Sequence, residues 1–402
     1  MIECAMTTRA ALPLLAFVIG LAINPATACA ETAKRALSDW TITPGLVVTA
    51  DYLSVVKGGL KRGARGLSNT DLTLEVAHTP SGWTLSGYVL HNQGGVFNDD
   101  YVGSLQAVSN IDTTDALHLY ELWAQKSWRD GEAYIAAGII DLNSRFDVQE
   151  SGGLFLQSAH GIGSELAQTG VNGPSIFPLA GPAVVVQVPI TDGWWTRFGI
   201  FDAVPGNANN PDRFSYVRLS KDEGALVIGE LEHRTDAARL VIGGWRYTTA
   251  FEALEAVDPV TGEPLRRRDN EGAYVSYDRT LITPDTEDGP GKVAGWVRAG
   301  FANSRINSLS HYIGGGLVWT GPLTTRPLDQ MGLAVAMAHR GQADRRLNPG
   351  RKTETVTELT YRAVLSETLA LQPSLQHVHG IGEAVSPKST WVAALRIEWT
   401  VF

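Results

Sequence analysis

The chain has 402 residues, with 33 Lys and Arg against 42 Asp and Glu, a formal charge of −9 that leaves no basic field for nucleic acid. Its 42 glycines, its 11 residues each of Trp, Tyr and Phe, and a mean hydropathy of −0.04 exclude a disordered chain and a helical transporter, which need few aromatics and long apolar runs respectively. The length alone suggests two or three domains, but closed all-β barrels run longer as one.

Residues 1–30 read as a secretory signal peptide. Arg9 precedes an apolar run from Ala10 to Ile23, followed by Pro25 and the small-x-small site Ala28-Cys29-Ala30. The run is too short for a membrane anchor, and Ala26 stands where a lipoprotein signal would carry Leu. Cleavage after Ala30 removes both cysteines, Cys4 and Cys29, so the exported chain has neither a disulfide nor a thiol catalyst. Glu3 and Arg9 leave together, so the mature part keeps its charge of −9.

From residue 31 onward the pattern has period two. Leu72, Leu74 and Val76 share one face of a strand while Thr73 and Glu75 share the other, and Leu359, Tyr361 and Ala363 oppose Glu358, Thr360 and Arg362 in the same way. In chain order, strands are predicted at 45–56, 70–77, 83–91, 117–127, 133–140, 183–188, 194–201, 214–220, 225–233, 238–247, 272–278, 293–301, 311–319, 330–338, 354–365, 369–377 and 389–402. A bacterial single-chain membrane barrel has an even strand number. These seventeen segments therefore imply sixteen to eighteen strands, with one segment too many or one missed.

Connections sort by length. Thr79-Pro80-Ser81-Gly82, Arg129-Asp130-Gly131-Glu132 and Thr191-Asp192-Gly193 read as tight turns, whereas 92–116, 141–182 and 248–271 far exceed an ordinary loop of ~4–6 residues. Short turns on one rim and long loops on the other characterise outer-membrane barrels. That alternation fails once, where 221–224 and 234–237 both look short. A soluble sandwich also alternates, but its outer face would be densely charged, and here that face is sparse and mixed. Trp83, Trp128, Trp194 and Trp319 near segment ends fit aromatic girdles at the two membrane interfaces. The expectation is one all-β domain over 31–402, a transmembrane antiparallel up-and-down barrel of about sixteen strands that closes because lipid leaves no backbone group unpaired.

Several runs carry a family likeness. Leu119-Tyr120-Glu121-Leu122-Trp123, Gly138-Ile139-Ile140-Asp141-Leu142-Asn143, Gly153-Leu154-Phe155-Leu156-Gln157-Ser158, Gly193-Trp194-Trp195-Thr196-Arg197-Phe198-Gly199 and Asp202-Ala203-Val204-Pro205-Gly206 follow in order. The ordered set resembles the carbohydrate-selective porin family (OprB type) of bacterial outer membranes, clearly over roughly 117–220 and diffusely elsewhere. That resemblance implies a sixteen-stranded barrel that passes sugars passively. The chain also ends in Phe402, as barrels delivered to the outer-membrane assembly machinery commonly do, although the apolar phase Trp391 to Val401 excludes this residue.

If apolar residues face lipid, the opposite phase lines the lumen. The candidates are Glu75, Arg197, Arg218, Glu230, Arg246, Trp296, Arg298, Glu358, Arg362, Arg396 and Glu398. Each lipid-facing arginine would cost ~2–4 kcal/mol at mid-membrane, so six of them would exceed a fold's margin of ~5–15 kcal/mol. Charges of both signs favour a neutral solute over an ion, and Arg, Glu, Trp and Tyr supply what sugar hydroxyls and C–H faces need. The same residues could equally serve to pair across strands and solvate the wall. The stretch 141–182 holds Asp141, Asn143, Arg145 and Asp147, then the apolar Leu154 and Phe155. Part of it is expected to fold inward and narrow the barrel, with 154–156 packed on the inner wall, rather than to stay on the surface.

Enzyme chemistry is not evident. His160 precedes Ser164 by four residues instead of the spacing of outer-membrane phospholipases, and no nucleophile elbow is present. His377 and His379 share a strand face without a third ligand, and the acidic pairs at Asp99-Asp100 and Asp285 to Asp288 read as solvated loops. No cofactor or metal is expected. The expected partners are small sugars, outer-membrane lipid and the barrel-assembly machinery, with the protein a monomer or a homotrimer. A general-diffusion porin and a secreted glycan-binding β protein are the alternatives.

Overall fold

The computed structural model describes residues 39–207, 210, 212–283, 291–380 and 389–402; the signal segment 1–30, with Cys4 and Cys29, and the acidic run 285–288 lie outside these residues. The first nine strands are β1 (Trp40–Lys57), β2 (Ala64–His78), β3 (Trp83–Gln93), β4 (Ala116–Trp128), β5 (Ala133–Ile140), β6 (Gly181–Thr191), β7 (Trp194–Asp202), β8 (Ala225–Arg234) and β9 (Ala238–Tyr247). A short hairpin follows, β10 (Phe251–Val257) with β11 (Pro264–Arg267), inside the long connection that the sequence reads as a plain loop. The remaining wall is β12 (Glu271–Ile282), β13 (Lys292–Ala302), β14 (Leu309–Thr320), β15 (Gln330–Arg340), β16 (Thr353–Val364), β17 (Leu369–His379) and β18 (Ser389–Thr400).

Sixteen of these strands form a closed antiparallel barrel. Each pairs with its chain neighbour, β9 pairs with β12 across the hairpin, and β1 closes on β18 with Asp51 opposite Arg396. Closure satisfies every wall edge, which a chain in hydrocarbon requires. Period two then sorts the side chains. Leu72, Leu122, Phe198, Ile242, Val297, Leu333 and Ile397 are exposed on the outside, while Asp51, Glu230, Arg298, Glu358 and Arg396 are buried inside. A closed barrel with this apolar exterior sets aside the soluble sandwich.

One predicted strand is absent. Residues 214–220 belong to an irregular connection, 203–224, in which Val217 and Leu219 are exposed and Phe214 only lends its carbonyl to Leu119. Alternation there has no ladder partner. Without this segment the strand number is even, and the connection becomes a fourth long loop opposite the tight turn at 235–237. The tryptophans need a second correction. Trp83, Trp128, Trp194 and Trp319 all adjoin connections of the short-turn rim, so they mark one interface instead of two.

The barrel interior and its inserted loops

Two long connections turn inward, 94–115 between β3 and β4 and 141–180 between β5 and β6. They interlock through backbone hydrogen bonds, Asn110 N–H to Leu156 O at 2.7 Å and Ser158 N–H to Ala107 O at 3.2 Å. Leu154 and Phe155 pack on the inner wall against Trp296, Val318 and Ala334, with the Phe155 and Trp296 rings 5.2 Å apart. Phe97, Val102, Val108 and Leu156 meet the inward Leu53, Val55, Val356, Val378 and Val392. Leu142, Phe146, Ile162 and Leu166 do the same against Val185, Ile228, Val241, Trp245 and Tyr247. The barrel is therefore apolar inside wherever a loop rests on it.

Loop backbone is otherwise short of partners, and inward polar side chains supply them. Glu358 accepts from the Leu156 and Gln157 amides at 3.0 and 2.9 Å and from Ser374 Oγ at 2.8 Å. Four residues earlier on β16 and on the same face, Glu354 accepts from the Leu105 amide at 3.0 Å and Ser104 Oγ at 2.7 Å. Gln372 and Gln376 donate to the Leu154 and Val108 carbonyls at 2.6 and 2.7 Å. Such carboxylate-to-amide bonds are stronger than neutral ones and hold a loop that has no sheet of its own.

A charge network pins the middle of 141–180. Arg298 donates from Nε and Nη2 to the two Asp147 carboxylate oxygens at 3.0 and 2.7 Å and from Nη1 to Glu165 at 2.5 Å, with all three side chains buried. Asp147, itself at φ 53, passes its backbone N–H to Glu230 Oε1, which also takes the Tyr274 hydroxyl at 2.6 Å, while Glu230 Oε2 pairs with Arg197 at 2.8 Å. A Cβ on Gly163 or Gly300 would fall inside the Arg298 guanidinium or the Glu165 carboxylate, so both positions need glycine. His160 lies between Phe155 and Trp296 with neither ring nitrogen bonded, and burial pushes its pKa down to about 3. Ser164 Oγ likewise has no hydrogen-bond partner.

What stays open lies beside β1–β4. A cavity of about 810 Å³ on the long-loop side is lined by Asp71, Tyr88 and Tyr120 from the wall and by Asp99, Asp112, Asp141 and Asn143 from the loops. Tyr120 and Glu121 both face inward because a bulge there sets two residues against one on β3. The Tyr88 and Tyr120 rings meet edge to face at 5.0 Å, and Tyr88 donates to Asp71 at 2.5 Å. Burial and the neighbouring Glu121 push Asp141 up to about 7, and burial pushes Asp112 up to about 6. A second cavity of about 430 Å³ opens on the short-turn side, lined by Glu150, Leu154, Lys292, Arg362, Arg396 and Glu398 among others. Arg396 lines both cavities, held by Asp51 at 2.7 and 2.8 Å and by Asn110 at 2.7 Å.

The sequence-derived residues divide accordingly. Glu230, Trp296, Arg298 and Glu358 face inward but lie beneath the loop as its anchors, and Arg197 joins them through Glu230. Arg362 and Glu398 pair at 2.7 Å on the wall of the short-turn cavity, and Glu75 lies on the inward phase of β2 near that rim. Asn143 donates to the Phe146 and Asp147 carbonyls, and Arg145 stacks on Trp123 and Tyr134 at 4.8 and 5.2 Å. Two arginines depart from the expectation. Arg218 lies in the 203–224 connection beside Glu223, and Arg246 takes the outward phase of β9, exposed beside Glu271 at the long-loop rim. Trp245 and Tyr247 take the inward places because a loop packs there, which inverts the rule that apolar means lipid-facing. Asp51, Tyr88, Tyr120 and Glu354 went unread, although the Thr49–Asp51 alternation carried a signal for the first. Among the described residues no cluster of three His, Cys, Asp or Glu is arranged to hold a metal.

A family model described as "Carbohydrate-selective porin, OprB family" matches residues 57–401. Porin B of Pseudomonas aeruginosa is 22% identical over 456 residues, spanning 99% of this chain and 98% of that protein. The high-pH structure of Pseudomonas putida OprB superposes with a TM-score of 0.77 at 17% identity, covering 89% of this chain and 94% of that one. An anion-selective porin from Comamonas acidovorans follows the same barrel with a TM-score of 0.56 at 13% identity, covering 90% and 99%. At these identities the solved structures speak to the fold alone.

Proposed function

This chain belongs to the OprB family of carbohydrate-selective porins, a channel family of the Gram-negative outer membrane, and on that premise we propose the route its sugars take. Solute enters the long-loop cavity, passes Arg396 and leaves through the short-turn cavity into the periplasm. The observation that carries this route is that Arg396 borders both cavities. A guanidinium flanked by Asp51 and Asn110 offers donors and acceptors for a hydroxyl pair, and Tyr88 and Tyr120 offer ring faces for sugar C–H surfaces. The connection 141–180 is then the constriction, and Asp141, Asn143 and Arg396 contact the solute.

The test is liposome swelling with the purified protein in a panel of monosaccharides and disaccharides, beside planar-bilayer recording. Monosaccharides should swell the vesicles and partly block the ion current. An Arg396→Ala channel should lose the block, and absence of any sugar flux in the native protein would overturn the reading.

Three companion readings belong to the same proposal. Residues 1–30 are removed on export after Ala30, supported by the charge, apolar run and small-x-small site. The terminal strand ending at Phe402 is the recognition element for barrel assembly; Leu46 N–H bonds the Phe402 carbonyl at 3.1 Å, so the ladder runs to the end. The chain acts as a channel without enzymatic turnover, as one barrel or three, which native mass measurement in detergent separates.

A further inference from the structure

The outer surface of the long-loop rim is uneven. Four of the chain's nine histidines, His311, His339, His377 and His379, lie near the long-loop ends of β14, β15 and β17 and take the outward phase, each one residue away from the buried Ser310, Ala338 or Val378. His311 and His339 occupy paired positions with their rings 5.9 Å apart, and His339 Nδ1 meets Thr353 Oγ1 at 3.0 Å. The connection 341–352 adds Arg345 and Lys352, both within electrostatic reach of His339.

These cations have no anion to meet. Arg340 pairs with Asp344 and Arg346 with Glu255, while Arg345, Arg351 and Lys352 take part in no ion pair among the described residues. The carboxylates nearest in sequence, Asp344 and Glu354, are buried and held by Arg340 and the Leu105 amide. Elsewhere on the same rim Arg246 has Glu271 beside it and Arg218 has Glu223. On the opposite rim the outward His78 and His233 pack on Trp40 and Trp194, with ring centroids 4.5 and 4.4 Å apart. Unbalanced cations around two imidazoles repel a metal ion and attract a polyanion.

We propose that the outward face of β14–β17 at this rim is a docking site for a phosphate-bearing glycolipid of the outer leaflet. Long loops mark the outer side of such barrels. Two residues further into the membrane on each of the three strands stand Ile313, Met337 and Leu375, all exposed apolar side chains. A phosphate bound by Arg345, Lys352 and the imidazoles therefore lays the acyl chains of its own molecule on that apolar wall. Guanidinium and ammonium groups make strong charge-assisted bonds to phosphate oxygens, and basic residues at a membrane surface attract anionic lipid. A free phosphate would use only the charged half of the surface. The inference concerns the outside of the barrel and does not depend on which solute the bore carries.

The experiment adds diphosphoryl lipid A or phosphatidylethanolamine to the native barrel in detergent and counts retained lipid by native mass spectrometry. The barrel should keep diphosphoryl lipid A under conditions where phosphatidylethanolamine is lost. The combined variant His339→Gln, Arg345→Gln, Lys352→Gln should bind it roughly twentyfold more weakly, since each basic side chain at an anionic lipid surface is worth a factor of about five. The control variant His78→Gln, His233→Gln on the opposite rim should bind as the native chain does, with heat-modifiable gel migration confirming that both barrels fold. No preference for the phosphorylated lipid in the native chain overturns the proposal, as does a folded triple variant that binds undiminished or a control variant that loses binding equally. Full displacement by inorganic phosphate also overturns it and assigns the cluster to a free anion. A homo-oligomer that the triple variant loses, with no lipid retained by either form, overturns it in favour of a second copy of the chain.

Discussion

Glu358 on β16 and Asp71 on β2 are both carboxylates on inward strand positions, yet they do opposite work. Glu358 is spent on the Leu156 and Gln157 amides and is fully buried, whereas Asp71 lines the long-loop cavity beside Tyr88. The difference is repeated along the wall. The inward Glu354, Glu358, Gln372 and Gln376 hold the two loops, whereas the inward Asp71, Tyr88 and Tyr120 border the long-loop cavity. A barrel of this width can close half its bore by laying loops on an apolar and hydrogen-bonding surface, leaving a narrow passage on the other half. An inward charge therefore means solute contact only where no loop lies over it.

The contrast is broken most completely by removing the loop. Deleting 150–175 takes away Leu154, Phe155 and the helical turn Ser164–Ala167 and exposes the anchoring wall. Single-channel conductance should rise several-fold and sugar preference should fall; an unchanged channel would show that the loop does not set the passage. The substitution Arg298→Met comes next, since it leaves Asp147 and Glu165 buried without their counter-charge. Breaking a buried pair from one side costs ~3–5 kcal/mol, to be read as a lower unfolding midpoint and noisy open current. Glu358→Leu removes one acceptor from two loop amides and should cost ~1–3 kcal/mol, with a smaller change in current noise.

Acidity sharpens the comparison because the two sides titrate with opposite sign. His160 sits among the anchors with its pKa pushed down to about 3, below the ordinary 6.5. The unfolded chain then binds the extra proton across that window, so this contribution to loop docking is whole above about 6.5 and is lost as pH falls toward 3, at up to ~1.4 kcal/mol per pH unit. Asp141 on the open side is raised to about 7, so its contribution is whole below its ordinary 3.8 and is lost as pH rises through 7. Thermal melts between pH 7 and 5 should show an acid-sensitive component that His160→Leu removes. The smallest effect is expected from Arg246→Gln, whose side chain lies outside the bore beside Glu271. Conductance should not move, and stability should stay within ~0.5 kcal/mol.

The wall was legible because period two is a local property, and sixteen strands of the barrel follow from it. Residues 214–220 mislead for the same reason: Val217 and Leu219 alternate correctly, but a strand also needs a neighbour, which no single segment reports. The site was half legible. The inward phases of Glu230, Arg298, Glu358 and Arg396 follow from alternation, while their roles depend on loops that return from far along the chain, as Asp147 does to Arg298 over 151 positions. Arg246 marks the limit of the apolar-outside rule, since the strand phase there is set by Trp245 and Tyr247 packing beneath a loop.

The contact between Arg396 and Asp51 joins the last strand to the first, 345 positions apart, at the place where the two cavities meet. The rivet of the seam is thus also the waist of the conduit. A chain lacking its final strand possesses neither, so the strand that completes the cylinder also supplies the residue at which the two cavities meet.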